Sequence, residues 1–205
     1  MNILITAGPT REKIDPVRFI SNYSSGKMGY SIAQAALEAG HSVTLISGPV
    51  TLTAPAEATL IKVTSAAEMA QAVHESAPRA DVIIMTAAVA DYRPANPFES
   101  KMKKLPGKLV LELERTEDIL GTLGKNKSSS QRLIGFAAET DDLEKNALGK
   151  LERKNLDWIA ANLVADGFGT QTNKITLYSR DGRKVAIPAG EKLEVAREML
   201  KVVLQ

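Results

Sequence analysis

The chain has 205 residues, 44% of them hydrophobic and 24% charged, which excludes wholesale disorder and is enough for one sizeable core. Lysine plus arginine number 26 against 24 aspartate plus glutamate, and aromatics are only 4%, so there is neither a global basic field nor a stacking platform for nucleic acid. With no cysteine and two isolated histidines, His41 and His74, the sequence excludes disulfides, thiolate metal sites, a cysteine nucleophile and a histidine zinc cluster.

Asn2 to Thr6 reads as a buried strand that runs straight into the turn Ala7-Gly8-Pro9-Thr10. A long connection, Glu12 to Ser25, leads to a helix over Gly29 to Ala39, stopped by Gly40. Ser42 to Ser47 is the second strand. Ser65 and Glu68 form a capping-box pattern at the start of a helix reaching Ala77. The third strand, Asp81 to Met85, precedes a second long connection, Asp91 to Leu109, which carries Pro94, Pro97 and Pro106; connections of that length are usually functional. Then come a helix over Thr116 to Leu123, a strand over Arg132 to Phe136, a helix over Asp141 to Lys154 and a strand over Asp157 to Ala160. Lys174 to Tyr178 and Lys184 to Pro188 flank Asp181-Gly182, a hairpin signal, and a helix over Glu191 to Leu204 closes the chain. Near-continuous apolar strands alternating with helices predict an α/β, three-layer αβα sandwich with a Rossmann-like, mostly parallel sheet and a C-terminal β-hairpin. Residues 1–205 read as one domain. No apolar run is long enough to span a membrane and no leader-like segment opens the chain, so the expectation is a cytoplasmic protein acting on small molecules, without nucleic acid or membrane partners.

The residues that can carry chemistry sit at predicted strand ends. Ser24-Ser25-Gly26-Lys27-Met28-Gly29 lies where the first helix begins; free N–H groups and the positive dipole end favour phosphate there. The plainer reading is a helix start packed closely on the sheet. The stretch has neither P-loop spacing nor the first glycine of G-x-G-x-x-G, and Ser47-Gly48-Pro49 offers no acid for a ribose diol. An NAD(P)-binding reductase is therefore only the alternative, and the Tyr23/Lys27 spacing is a chance match to dehydrogenases. After the third strand, Thr86-Ala87-Ala88-Val89-Ala90-Asp91-Tyr92 supplies a floor of small residues, with Asp91 either orienting a ligand or cation or capping the loop. Lys101, Lys103, Lys104 and Lys108 either close over a polyphosphate or form a solvated face. Lys150 and Lys154, four apart, share one helix face. Gly135-Phe136-Ala137-Ala138-Glu139-Thr140 is a candidate wall for a base. Arg18 and Asn22 pair a guanidinium with an uncharged amide donor, although such a pair is commonly surface.

Taken together, Ile5 to Glu12, Asp15 to Gly29, Ala87 to Tyr92, Gly135 to Thr140 and Lys154-Asn155-Leu156-Asp157 resemble the phosphopantothenoylcysteine synthetases, the second domain of bacterial bifunctional coenzyme A biosynthesis proteins. The resemblance spans nearly the whole chain. It implies a CTP-using acid–amino-acid ligase: the carboxylate of 4′-phosphopantothenate attacks the α-phosphate of CTP, and cysteine then displaces CMP from the acyl-cytidylate. Asn22 matches the family's asparagine of the cysteine step, Arg18 its accompanying arginine, Lys101 the loop lysine of activation, and Ala87 and Ala88 the small loop at the reacting group. Gly26, Asp91, Lys101, Glu117, Asp118, Ile119, Leu120, Phe136, Lys150 and Lys154 match nucleotide-binding positions. Relatives often read Asn-Pro-Asp-Ile where this chain has Thr116-Glu117-Asp118-Ile119, a mild change only if that turn contacts cytosine through its backbone. The family implies Mg2+ with the triphosphate, on ligands the sequence does not identify, and a homodimer to which the terminal hairpin is the expected contributor. No flavin-dependent decarboxylase half precedes Met1, so the expectation is a stand-alone enzyme or a domain excised from such a fusion. A non-catalytic nucleotide sensor is a further rival.

Overall fold

β1 (Asn2–Ala7) is buried at every residue except the first, because both faces of the strand are covered. In the computed structural model, which describes every residue except Leu105 and Phe168, Ile3 and Ile5 enter one core cluster and Leu4 the other. That is the period-two alternation of a strand turned to two hydrophobic layers. In chain order the remaining elements are β2 (Arg11–Lys13), β3 (Phe19–Ser21), α1 (Lys27–Glu38), β4 (Ser42–Ser47), β5 (Thr59–Lys62), α2 (Ala66–Ser76), β6 (Val82–Met85), β7 (Tyr92–Pro94), β8 (Leu113–Arg115) and α3 (Ile119–Asn126). They continue with β9 (Arg132–Glu139), α4 (Leu143–Arg153), β10 (Trp158–Leu163), the single-turn α5 (Val164–Gly167), β11 (Thr172–Ser179), β12 (Lys184–Glu191) and α6 (Lys192–Val203).

Eight strands form one sheet in the order β12-β11-β10-β9-β6-β1-β4-β5. The six from β10 to β5 are parallel, and β11 and β12 add antiparallel at the β10 edge. Numbered along the chain, the parallel six stand 3-2-1-4-5-6, so the winding reverses between β1 and β6, where open α/β sheets hold their ligands. α1 and α6 pack over one face of the sheet, and α2, α3 and α4 over the other. The three-layer, Rossmann-like expectation and the C-terminal hairpin therefore stand.

Several expectations need correction. The first long connection is not a loop: β2 and β3 pair as a hairpin, with Arg11 stacked over the Phe19 ring at 4.6 Å. The second is framed by β7 and β8, joined by the Arg93–Glu114 ion pair at 2.7 Å. β5 was not expected at all. The third helix begins at Ile119 rather than Thr116, because the Asp118 carboxylate accepts from Gly121 N at 3.0 Å and acts as its N-cap. Thr116 instead ties the floor loop, donating its hydroxyl to Ala90 O at 2.6 Å. The capping box at α2 is present in altered form: Ser65 Oγ accepts from Glu68 N, but Glu68 reaches back to Thr64 N.

Helix α1 lies very close to β1. A Cβ at Gly29 would stand 2.6 Å from both Ala7 Cβ and Thr86 Oγ1. Gly29→Ala is therefore expected to overpack this contact and lower stability by about 1–3 kcal/mol. The measurement is a urea midpoint reduced at unchanged slope.

Candidate active site

A cleft of about 690 Å3 opens at the carboxyl ends of β6, β9 and β10, beside the reversal of strand order. Its size suits a small-molecule ligand. The amino end of α1 faces it, and no side chain caps that end. Gly26, the N-cap, has φ 77°, and a Cβ there would meet Val50 Cγ1 at 2.9 Å, so both backbone conformation and crowding require glycine.

The floor is held by two buried threonines of the β1 region. Ala87 N donates to Thr6 Oγ1 at 3.2 Å, and Ala90 N to Thr10 Oγ1 at 3.0 Å. Asn22, just after β3, reaches the same floor. Its Nδ2 donates to Ala88 O and Val89 O, each at 3.2 Å, which brings the predicted amide to the predicted small-residue loop.

The opposite wall is cationic. Lys150, on α4, donates Nζ to Phe136 O at 2.7 Å. Burial pushes its ammonium below the ordinary lysine range, against the opposing pull of the Glu139, Asp91 and Asp118 carboxylates. Lys154 pairs with Asp118. Burial acts to raise the Asp118 carboxyl, but the Lys154 bond and Gly121 N–H outweigh it and hold it low. Gly26, Ala87, Ala88, Asp91 and Phe136 all line the cleft, as do Lys150, Lys154 and the Glu117–Leu120 turn. The Glu117 carboxylate is engaged with His74 Nε2 at 2.7 Å, consistent with a turn that presents its backbone to a ligand. The Lys154-Asn155-Leu156-Asp157 motif is mostly architectural. Asn155 takes φ 53° to end α4, and Asp157 receives Leu133 N at 2.7 Å at the head of β9.

Asn22 bonds the floor loop but does not itself line the cleft, and neither do Arg18 and Lys101. The turn that carries Arg18 and the loop that carries Lys101 are tied together through Asp15, a residue the sequence reading passed over. Asp15, buried in the β2–β3 turn, accepts from Val17 N and Arg18 N at 2.8 Å and from Met102 N at 3.2 Å. Arg18 Nη2 in turn donates to Met102 O at 2.9 Å. Burial opposes ionisation of Asp15, but these amides and the Arg18 charge together hold its carboxyl below the usual range. Lys101, next to Met102, is exposed on the loop so clasped. The signal that marks Asp15 is Asp-Pro-Val-Arg, an aspartate whose side chain can bond the backbone two and three residues on. Asn162, Asn173 and Lys192 also line the cleft, and nothing local in the sequence distinguishes them.

Among the described residues, no three histidine, aspartate or glutamate side chains gather as a metal site. Mg2+ usually takes one or two carboxylates and otherwise phosphate and water oxygens. Asp91 in the cleft wall is compatible with that limited demand. Among the described residues, no helix is long and apolar enough to cross a membrane.

Winding reversal, an open helix amino end and a cationic wall define a doubly wound α/β protein with an anion-receptive cleft. Over residues 1–205 the chain matches the DNA/pantothenate metabolism flavoprotein C-terminal domain, and it belongs to that family. It is 51% identical over 206 residues to the coenzyme A biosynthesis bifunctional protein CoaBC of Bacillus subtilis (strain 168), covering 98% of this chain and 50% of that protein. The chain thus spans about half the length of such relatives. A crystal structure of the C-terminal domain of CoaBC superposes with a TM-score of 0.84 at 50% identity, covering 98% of this chain and 92% of the other. A Cab2 variant in complex with phosphopantothenate-cysteine shares the fold, with a TM-score of 0.83 at 20% identity over 99% of this chain and 85% of its own.

Proposed function

We propose that this domain joins 4′-phosphopantothenate to cysteine at the expense of CTP, as a phosphopantothenate–cysteine ligase of coenzyme A biosynthesis. The observation that carries the reading is the Asn22 amide bonded to the Ala88 and Val89 carbonyls beside the open end of α1. The kinship with a bifunctional coenzyme A biosynthesis protein supports it.

In the first step a carboxylate oxygen of phosphopantothenate bonds to the α-phosphorus of CTP, and the bond to the bridging oxygen breaks to release pyrophosphate. In the second, the cysteine amine bonds to the acyl carbon, the carbon–oxygen bond to CMP breaks, and the amine loses a proton. The domain's work is alignment and charge compensation. Ala87 and Ala88 leave room for the acyl-phosphate, and Gly26 lets phosphate approach the backbone. Asn22 acts on the acyl-cytidylate, and Arg18 supports it from outside the cleft, through its bond to Met102 O. Lys101 closes over the activated phosphate. Asp91, Phe136, Lys150, Lys154 and the Glu117–Leu120 turn hold the nucleoside. When bound, Mg2+ would offset triphosphate charge, and Asp91 in the cleft wall is the carboxylate that would hold it.

The working unit is a homodimer in the cytoplasm, with residues 1–205 as one synthetase domain, fused in such relatives to a flavin-dependent decarboxylase. The exposed apolar residues Val17, Phe19, Val110 and Leu113 belong to the β2–β3 and β7–β8 arms, which makes these arms, rather than the terminal hairpin, the better candidate for the subunit contact.

The test is pyrophosphate release with CTP and 4′-phosphopantothenate, with and without cysteine. Release should need both substrates, and CMP should appear in quantity only when cysteine is added. CTP binding without pyrophosphate would favour a nucleotide sensor, and oxidation of a reduced nicotinamide would favour a reductase.

A further inference from the structure

Asn22 sits where the regular structure around it stops. It follows the last paired position of the β2–β3 hairpin, Arg11 with Ser21, and the chain turns at once, with Ser24 N donating to Asn22 O at 2.9 Å. Two strands of three residues make a weak ladder, so pairing alone does not fix the position of a residue just beyond its end. Its side-chain amide faces carbonyl oxygens of the floor loop, Ala88 O and Val89 O, which belong to a segment sixty-six and more residues away. Something must set the hairpin end and the floor in one register.

The hydroxyl of Ser21 does so through Thr10. Ser21 Oγ donates to Thr10 O at 2.7 Å. Thr10 is fully buried, and each of its polar atoms is engaged. Its N–H donates to Ala88 O at 3.3 Å, its carbonyl accepts from Ser21, and its Oγ1 accepts from Ala90 N at 3.0 Å. The floor is pinned on both sides of these bonds. Ala88 N donates to Gly8 O at 2.9 Å, and Ala90 O accepts the Thr116 hydroxyl at 2.6 Å. The residue before Asn22 and the loop that Asn22 faces are therefore both referred to one buried threonine. Neither Ser21 nor Thr10 lines the cleft, so any effect of Ser21 on the chemistry is carried by its neighbour.

We propose that Ser21, acting through Thr10, is a positioning residue that registers the Asn22 amide on the floor loop for the attack of cysteine, an assignment that rests on the role given to Asn22 above. The groups assigned to activation are attached elsewhere: Gly26 caps α1, and Lys150 lies on α4. Releasing the Ser21 bond displaces the hairpin end without moving them. The consequence is specific to one step. A serine that only stabilised the hairpin would lower the number of folded molecules and leave the ratio of the two step rates alone.

Single-turnover rapid quench of the full chain tests this, with labelled CTP, 4′-phosphopantothenate and Mg2+ mixed first and cysteine added second. Rate constants measured in this way do not depend on the folded fraction, which alters only the amplitude. Ser21→Ala should slow consumption of the acyl-cytidylate by about tenfold, the upper range for one neutral hydrogen bond, with its formation within about twofold of wild type. Combined with Asn22→Asp, Ser21→Ala should cost almost nothing further in the cysteine step, because the amide that it positions is already gone. Equal slowing of both steps, an unchanged cysteine step, or losses that multiply in the double variant would each overturn the assignment and leave Ser21 a hairpin tie. A wild-type chain that forms no acyl-cytidylate would instead remove the ligase reading, and the role of Ser21 with it.

Discussion

Asn22→Asp is expected to leave pyrophosphate release largely intact and to slow amide formation by about a hundredfold to a thousandfold, the cost of losing one preorganised donor at a reacting centre. Asn22 Nδ2 is a donor facing two carbonyl oxygens, Ala88 O and Val89 O. An aspartate has nearly the same shape but presents an anionic acceptor to those carbonyls and to the phosphate of the acyl-cytidylate. It is repelled by both. Activation draws mainly on the cations and the α1 amino end, which the substitution does not touch. The acyl-cytidylate should therefore accumulate, visible by rapid quench with labelled CTP and cleared only slowly after cysteine is added. Product formation at the wild-type rate would take Asn22 out of the mechanism.

The parts of the molecule that were legible in sequence are those whose burial is symmetrical. β1, β4, β6, β9 and β10 lie inside the sheet, so each appears as a short apolar run that no local competitor disguises. The three-residue strands β2, β3, β7 and β8 lack such a run. Arg93 and Glu114 pair across a long excursion, and only the folded chain brings Phe98 N to Ile14 O at 2.8 Å. Sites follow the same rule. Gly26 and the Ala87–Ala88 loop announce themselves because close approach to backbone needs small residues. Lys192 opens an ordinary amphipathic helix, and Asn173 sits in an edge hairpin; their meeting at the cleft follows from topology. The helix expected from Thr116 starts three residues later because Thr116 and Glu117 are engaged with Ala90 O and His74, and only the Asp118 cap defines its start.

Lys101→Gln is expected to slow pyrophosphate release by about a hundredfold, because a cation that closes over the transferring phosphate acts on the first step. Lys101 stands outside the cleft, so its effect depends on delivery by the loop that carries it. The base of that loop is clasped at Met102, whose N–H is accepted by Asp15 and whose carbonyl is held by Arg18. Asp15→Asn exchanges a charged acceptor of three backbone amides for a neutral one and loosens the clasp while leaving Lys101 in place. It should depress the same step by a smaller factor. The double variant separates the two accounts. If Asp15 works by positioning Lys101, adding Asp15→Asn to Lys101→Gln costs almost nothing further in pyrophosphate release, the non-additive signature of residues acting through one another. If the losses multiply, Asp15 supports the β2–β3 arm for some other purpose. If Lys101→Gln releases pyrophosphate at the wild-type rate, the lysine-rich loop is a solvated surface, and activation is carried by Lys150, Lys154 and the amino end of α1.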